Sequence, residues 1–189
     1  MLWVSWLPGL LLGIPPSWVT ACCLRGTLVS TKSQGCRYTA AQMEINLHAP
    51  AVADGETQIT ADLETVWEVI AAIEEWPTWN PDIKSVSLEG PLGPGSVFRW
   101  KSGWSSLIST LQVVDRPREI AWTGKTMGLS AIHIFRLSPR DGGTLARSEE
   151  SWEGLIAILL KGYSRKTLDR GIRAFLSALR TESERRASS

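Results

Sequence analysis

Two ionisable side chains occupy positions where a β-strand would turn them toward the protein interior. In "SAIHIFRL", the alternation of a strand places His133 on the same face as Phe135. In "TLARSEESWEG", it places Glu150 on the same face as Trp152. Burying an ionisable group costs free energy unless it is paired, so each position needs a reason. We interpret His133 and Glu150 as candidates for orienting a polar part of a ligand, or for acting on it as general base and acid.

A structural role stays open for both residues. His133 is compatible with an inner histidine that bonds to a backbone group or a hydroxyl. Glu150 is compatible with a carboxylate near the mouth of a cavity, either wet or paired with a basic side chain. Glu149 has the opposite parity and is expected on an outer, solvated face, to which we assign no function.

Most other site chemistries lack support in the sequence. All three cysteines, Cys22, Cys23 and Cys36, precede residue 43, which leaves no disulfide or thiol nucleophile for the rest of the chain. With two histidines in the whole sequence, no metal site is predicted, and no motif calls for a cofactor. The serines of "GLSA" and "GWSS" lack the spacing of a nucleophile elbow, and "GPLGPG" is a turn broken by proline instead of a phosphate loop.

Charge argues against nucleic acid as a partner. The net charge of the 189-residue chain is +1, and no run of Lys and Arg suggests a groove for a polyanion. The length is typical of one domain with an appendage. We therefore expect a single domain that does not bind nucleic acid, and no oligomeric state is predicted.

The appendage is residues 1–42, which contain basic side chains and no acidic ones. Prolines and glycines interrupt its apolar stretch, which falls short of the ~20 residues that a spanning helix needs. We predict a leader outside the fold: a disordered segment, or a mis-assigned start upstream of Met43. The alternative is a cleaved or lipid-anchored signal, because "VTAC", ending at Cys22, resembles a bacterial lipoprotein cleavage box. The predicted location is cytoplasmic, with export or anchoring through Cys22 as the alternative.

The first patterned elements are a strand and a helix. "GETQITA", residues 55–61, alternates like a strand, and Asp62 is a typical helix N-cap. In the elbow "EEWPTWNP" that follows the helix, we predict that Pro77 ends the helix and that Pro81 holds the preceding asparagine out of helical geometry. Its tryptophans, Trp76 and Trp79, either pack in the core or close one end of a cavity.

Six further strands and a long helix complete the chain. Short loops rich in Gly, Pro and Asp separate the strands, so successive strands must pair antiparallel. "GLIAILLKG" is too short to span a membrane and is predicted to form part of an entrance near the last helix or to be buried. The last helix has one apolar face, made of Leu168, Ile172, Phe175, Leu176 and Leu179. These elements predict an α+β fold in which a curved antiparallel sheet wraps around the C-terminal helix and encloses a hydrophobic cavity.

The element order and three motifs resemble one known family. The motifs are "VWEVIAAIEEWPTWNP", then "AIHIFRL" followed by "GGT", then "EESWEGLIAILL" before the last helix. Over residues 54–185 the chain resembles the polyketide cyclase/dehydrase and lipid-transport family, part of the START-like (SRPBCC) superfamily with the helix-grip fold. The resemblance implies a deep apolar pocket for a lipid, polyketide, sterol-like or aromatic ligand, and it implies no single reaction.

Three functions therefore stay open. The preferred one is binding or transport of a hydrophobic small molecule in the internal cavity. The alternatives are an acid–base enzyme of the polyketide cyclase or dehydratase type and a protein-interaction module. The side chains expected to line the cavity are Trp79, Phe98, Trp100, Trp122, His133, Phe135, Glu150, Trp152, Ile172 and Phe175.

Overall fold

A computed structural model describes residues 43–189. Residues 1–42, with the predicted leader and the box at Cys22, lie outside the described part of the chain. The elements follow in this order: β1 (Ala51–Ile59), α1 (Leu63–Ala71), a 3-10 turn (Ile73–Glu75), α2 (Trp76–Trp79), β2 (Ile83–Glu89), β3 (Val97–Ser102), β4 (Ser105–Asp115), β5 (Glu119–Thr126), β6 (Leu129–Arg140), β7 (Gly143–Glu153), α3 (Leu155–Leu159) and α4 (Lys161–Ala187).

The seven strands form one antiparallel sheet in the order β1-β7-β6-β5-β4-β3-β2. From β2 to β7 each strand pairs with the next along the chain, as the short turns require. β1 closes the order by pairing with β7, with Ala51 opposite Trp152 and Ile59 opposite Thr144. The predicted α+β architecture with a curved antiparallel sheet and a long C-terminal helix is confirmed.

Helix α4 packs across the inner face of this sheet. It contacts β1 and β7 on one side and α1 and α2 on the other. The predicted apolar face of the helix is confirmed, because all five of its residues are buried. Gly55 of β1 allows the close approach, since a Cβ there would lie 3.0 Å from Ile172 and 3.2 Å from Leu176.

The first helix ends earlier than the sequence indicated. Asp62 caps it as predicted, with its Oδ1 accepting the Thr65 amide at 3.0 Å. However, α1 ends at Ala71, and Pro77 lies in the first turn of the separate helix α2. A proline is tolerated in a first turn because the amide it lacks would have no helical partner. The prediction for Pro81 is confirmed, since Asn80 is extended at φ −110° and ψ 105°.

Two other segments differ from expectation. β1 begins at Ala51 and ends at Ile59, while the predicted strand covered residues 55–61. Its Ala, Asp and Gly residues are poor strand formers, so the pairing with β7 decides its limits. In α3, only Ala157 is buried, and its leucines and isoleucines are exposed. The expectation of a buried segment is therefore wrong, and a part in an entrance stays a prediction.

No helix among residues 43–189 is long and apolar enough to cross a bilayer. The cytoplasmic location stays a prediction.

Gly154, which joins β7 to α3, offers a test of this fold. Its φ is +113°, and a Cβ there would lie 2.2 Å from the Gly128 carbonyl oxygen. We expect Gly154→Ala to lower the free energy of unfolding by about 3 kcal/mol or more, because backbone strain and a clash add together. Gly103→Ala is the matched control, since φ is +56° there and the surrounding space is open. It is expected to cost about 1 kcal/mol. Equal losses in urea unfolding would contradict the close contact between Gly154 and Gly128.

Candidate functional site

Aromatic rings fill the space between the sheet and α4, with Trp76 at their centre. Trp76 is completely buried, and its Nε1 donates to the Ile70 carbonyl oxygen at 2.9 Å. Its ring meets Phe98 of β3 and Phe175 of α4 edge-on, with centroids 5.7 Å and 5.4 Å apart, and lies 5.6 Å from Trp122 of β5. Edge-to-face packing of this kind adds to the stabilisation that burial alone provides.

His133 lies inside this ring cluster. Its imidazole centroid is 4.6 Å from Trp122 and 4.6 Å from Phe135, which is its neighbour on the inner face of β6. Phe175 approaches from α4, with its centroid 6.5 Å from the imidazole. An apolar wall thus surrounds an ionisable ring on three sides.

Polar side chains of β7 contact His133 on its remaining side. His133 pairs with Glu150 across the ladder, and Phe135 pairs with Ser148. His133 Nε2 makes a hydrogen bond of 2.8 Å with Ser148 Oγ, while Nδ1 lies 3.3 Å from Glu150 Oε2. Trp152 Nε1 donates to the other carboxyl oxygen of Glu150 at 2.6 Å. Serine, imidazole, carboxyl and indole therefore form one continuous series, which we call the polar row.

Burial changes the protonation of the polar row. The His133 and Glu150 side chains keep 8% and 14% of their exposure. Desolvation raises the pKa of Glu150 to about 7, against the lowering effect of the Trp152 hydrogen bond. Desolvation also lowers the pKa of His133 to about 3. Near neutral pH the imidazole is therefore uncharged and Glu150 is poised to bind or release one proton.

The side chains predicted to line a cavity lie on the inner side of the sheet or on the helices that cover it. Trp100 closes the cluster at β3, where its Nε1 donates to Ser109 at 3.0 Å. Trp79 packs edge-on against Phe175 at 5.5 Å, and Ile172 packs beside Gly55, the cross-strand partner of Ser148. Their roles in binding remain predictions.

The rings occupy the volume in which a ligand was expected. Phe98 and Phe135 are completely buried, and Phe175 is 8% exposed. Two surface depressions lie elsewhere, one along Lys166–Ala174 of α4 and one between residues 60–63 and the turn around Gly142. Neither contains a predicted ligand-binding residue. Because the buried rings contact one another, a ligand that enters between the sheet and α4 must part the aromatic side chains.

Sequence reasoning missed the part that Ser148 plays in the polar row. The alternation of β7 already placed Ser148 inward, between Ala146 and Glu150, but only the register of β6 against β7 brings its hydroxyl to His133. Glu149 does face outward, yet it is 17% exposed and pairs with Arg136 and Arg147. That part of the outer face is thus an ion-pair network and less solvated than expected.

The residues 43–189 contain no cluster of three His, Cys, Asp or Glu side chains that could hold a metal ion.

The sequence matches a known family. A family model described as polyketide cyclase / dehydrase and lipid transport matches residues 50–184. The chain belongs to this family. No curated protein matches the sequence.

Solved structures share the fold of this polyketide cyclase/dehydrase and lipid-transport domain at low sequence identity. A hypothetical protein of Helicobacter pylori is 14% identical with a TM-score of 0.66, over 76% of this chain and 98% of that one. The Zhui aromatase/cyclase of a Streptomyces species is 19% identical with a TM-score of 0.59, over 71% and 94%. A START superfamily protein of Mycobacterium smegmatis is 17% identical with a TM-score of 0.57, over 68% and 96%. At these identities the likeness establishes the helix-grip, START-like fold.

The pKa of Glu150 predicts a pH dependence of stability. The folded protein keeps the Glu150 proton up to about pH 7, whereas the unfolded chain loses it near the ordinary value of 4.5. The free energy of unfolding of the wild type, relative to Glu150→Gln, should therefore fall by about 2–3 kcal/mol as pH rises through this window. Urea unfolding of both proteins at a series of pH values measures the difference.

Comparing the two proteins removes the opposite contribution of His133, which both contain. Its lowered pKa adds stability as pH rises from about 3 to 6.5. Glu149→Gln, which removes a carboxylate of the opposite face, is the control and should not reproduce the effect. A difference between wild type and Glu150→Gln that does not change with pH would mean that Glu150 is solvated.

Proposed function

We propose that this protein binds a hydrophobic small molecule, such as a lipid, a polyketide or an aromatic compound, between its sheet and α4. The ligand's apolar body replaces contacts among the aromatic rings, and a polar group of the ligand reaches the polar row. The observation that carries the proposal is the burial of Glu150 and His133 within an apolar wall. Family membership supports the same ligand class.

Stability does not account for this burial. Both pKa shifts arise first from desolvation, which means that the surroundings oppose the charged form of each group. Replacing a buried ionisable pair by apolar side chains of similar volume often leaves a protein equally stable or makes it more stable. Contact with a polar group of a ligand accounts for the buried pair of His133 and Glu150, whereas packing of the interior does not.

Trp79 and Phe175 mark the place where the cluster opens most easily. Trp79 of α2 is half-buried, and its Nε1 is shielded from solvent without a hydrogen-bond partner among the described residues. A buried donor of this kind costs about 1–3 kcal/mol until it finds an acceptor. Phe175 packs against the same ring from α4. We place the ligand entrance between α2 and α4, with the indole N–H available to an oxygen atom of the ligand.

The protonation state of Glu150 determines whether the Ser148 hydroxyl can donate a hydrogen bond to a ligand. A protonated Glu150 donates its hydrogen to His133 Nδ1, so the ring hydrogen is on Nε2, which donates to Ser148. The hydroxyl hydrogen of Ser148 is then free to bond to a ligand carbonyl. An ionised Glu150 attracts the ring hydrogen to Nδ1, and Ser148 must then donate to Nε2. The proposed site therefore favours a carbonyl ligand below about pH 7.

Ligand affinity should follow this change. A long-chain fatty ketone or an aromatic ketone is expected to bind with a Kd of about 1 μM, equivalent to roughly −8 kcal/mol. The affinity should weaken between pH 6 and 8 in the wild type. Ser148→Ala should weaken binding at pH 6 and remove most of this pH dependence, because it deletes the donor. Isothermal titration calorimetry at both pH values measures the effect.

Glu150→Gln should also remove the pH dependence, while Glu149→Gln should retain it. If Glu150→Gln and Glu149→Gln gave the same pH profile, the polar row would not contact the ligand. If no ketone, fatty acid or aromatic compound bound to the wild type, the proposal of a hydrophobic ligand would be wrong.

The pKa of Glu150 near 7 favours a second function, an acid–base enzyme of the cyclase or dehydratase type. A group with this pKa can both give and take a proton at neutral pH, and positioned proton transfer contributes about 10²–10⁴-fold to a rate. For a poly-β-ketone substrate, Glu150→Gln should lower kcat at least 100-fold with little change in KM. Product analysis by liquid chromatography provides the readout. Unchanged kcat in Glu150→Gln would exclude Glu150 as the acid or base.

A further inference from the structure

One end of the sheet presents a set of exposed apolar side chains that the ligand proposal does not use. They come from the turn between β3 and β4, the turn between β5 and β6, and the α3 region. We call this set the apolar end; it consists of Trp104, Met127, Leu155, Ile158, Leu159 and Leu160. Trp104 is fully exposed, Met127 is 88% exposed and Leu159 is 71% exposed. Exposed apolar side chains gathered in this way mark an interaction surface.

The strand register places these segments at the same end of the molecule. The turn between β5 and β6 touches the start of α3, because a Cβ on Gly154 would lie 2.2 Å from the Gly128 carbonyl oxygen. Thr126 Oγ1 donates to the Ser106 carbonyl oxygen at 2.8 Å, which joins the end of β5 to the start of β4, next to Trp104. The apolar side chains therefore project from neighbouring loops beyond the rim of the sheet.

Basic side chains border the apolar end. Lys84 Nζ lies 5.0 Å from the centroid of the Trp104 ring, and Lys125 is exposed two residues before Met127. Lys161, the first residue of α4, is also exposed. Further charges near this rim are basic at Lys101 and Arg165 and acidic at Asp82 and Glu153. Positive charge thus predominates around the exposed apolar side chains.

We propose that the apolar end docks on the surface of a lipid bilayer that contains anionic phospholipids. Amphipathic helices that lie on a bilayer bury their apolar side chains about 5–10 Å into the boundary between headgroups and acyl chains, and the exposed side chains of the apolar end offer a smaller surface of the same kind. Tryptophan favours this boundary, where its ring is buried and its N–H stays hydrated. The surrounding lysines supply attraction to anionic headgroups, which a weak apolar anchor needs as its second contribution.

Charge favours a bilayer over a second copy of the protein. A symmetric dimer through the apolar end would bring the same basic rim of both copies together, which is unfavourable. An anionic bilayer satisfies the apolar and the basic side chains at once. This proposal does not depend on the ligand site, because none of its residues belongs to the polar row or the ring cluster.

Vesicle co-sedimentation of the full chain tests the proposal. We expect binding to vesicles of phosphatidylcholine with 30% phosphatidylserine, weaker binding at 0.5 M salt, and much weaker binding to phosphatidylcholine alone. The double variant Trp104→Ser with Leu159→Ser should weaken the binding at least tenfold. Lys125→Glu with Lys161→Glu should weaken binding to the anionic vesicles and reduce its salt dependence.

Arg140→Glu is the matched charge control, since Arg140 is an exposed residue at the turn between β6 and β7, at the opposite end of the sheet. It should bind the vesicles like the wild type. Thermal unfolding of each variant verifies that the fold is retained.

Three results would overturn the proposal. The first is no binding of the full chain to anionic vesicles. The second is binding that the apolar-end variants leave unchanged, which would assign the contact to another part of the chain, such as residues 1–42. The third is a dimer in analytical ultracentrifugation that Trp104→Ser with Leu159→Ser dissociates, which would make the apolar end an interface between copies of this chain.

Discussion

Packing of aromatic rings between the sheet and α4 is the constraint on which the rest of the structure depends. The ring of Trp76 contacts rings from β3, β5 and α4, with centroids 5.4–5.7 Å apart. One side chain thus packs against two strands and the long helix. The same packing encloses His133 and removes water from the polar row. The shifted pKa values of His133 and Glu150 follow from this arrangement, because apolar rings offer a charged group nothing in place of its hydration.

Alternation along single strands was sufficient to predict which residues face inward. It placed Phe98, His133 and Glu150 correctly, and helical spacing identified the buried face of α4. Alternation could not predict contacts between strands, because it gives the face of the sheet on which a residue lies and not the residue that lies beside it on the next strand. The bond between His133 and Ser148 depends on register, and the filled interior depends on how several large rings share one space. The early end of α1 likewise depends on tertiary packing, since nothing local forbids helix between Ala71 and Trp76.

A filled interior changes how hydrophobic binding is to be understood in this domain. The contacts that a ligand makes must be more favourable than the contacts among the rings that it displaces, and only the difference contributes to affinity. Affinity therefore depends on how closely the ligand replaces those contacts.

β7 connects the two functional proposals, because it carries Ser148 and Glu150 and then continues through Gly154 into α3. A bilayer at the apolar end would therefore lie at the end of the strand that carries the polar row.

The two ends of α4 differ in their contacts with the rest of the domain. Near its C-terminus, Glu184 accepts the Thr60 amide at 3.0 Å and Arg186 pairs with Glu75 at 2.7 Å. Near its N-terminus, Arg165 Nε donates to the Pro50 carbonyl oxygen at 3.1 Å, and most other side chains before Leu168 are exposed. The helix has 27 residues and is ~40 Å long, so a tilt of ~5° about its anchored end moves the other end by ~3–4 Å. Such a rotation would displace the first turn of α4, next to the apolar end, far more than Phe175, which lies about halfway along the helix.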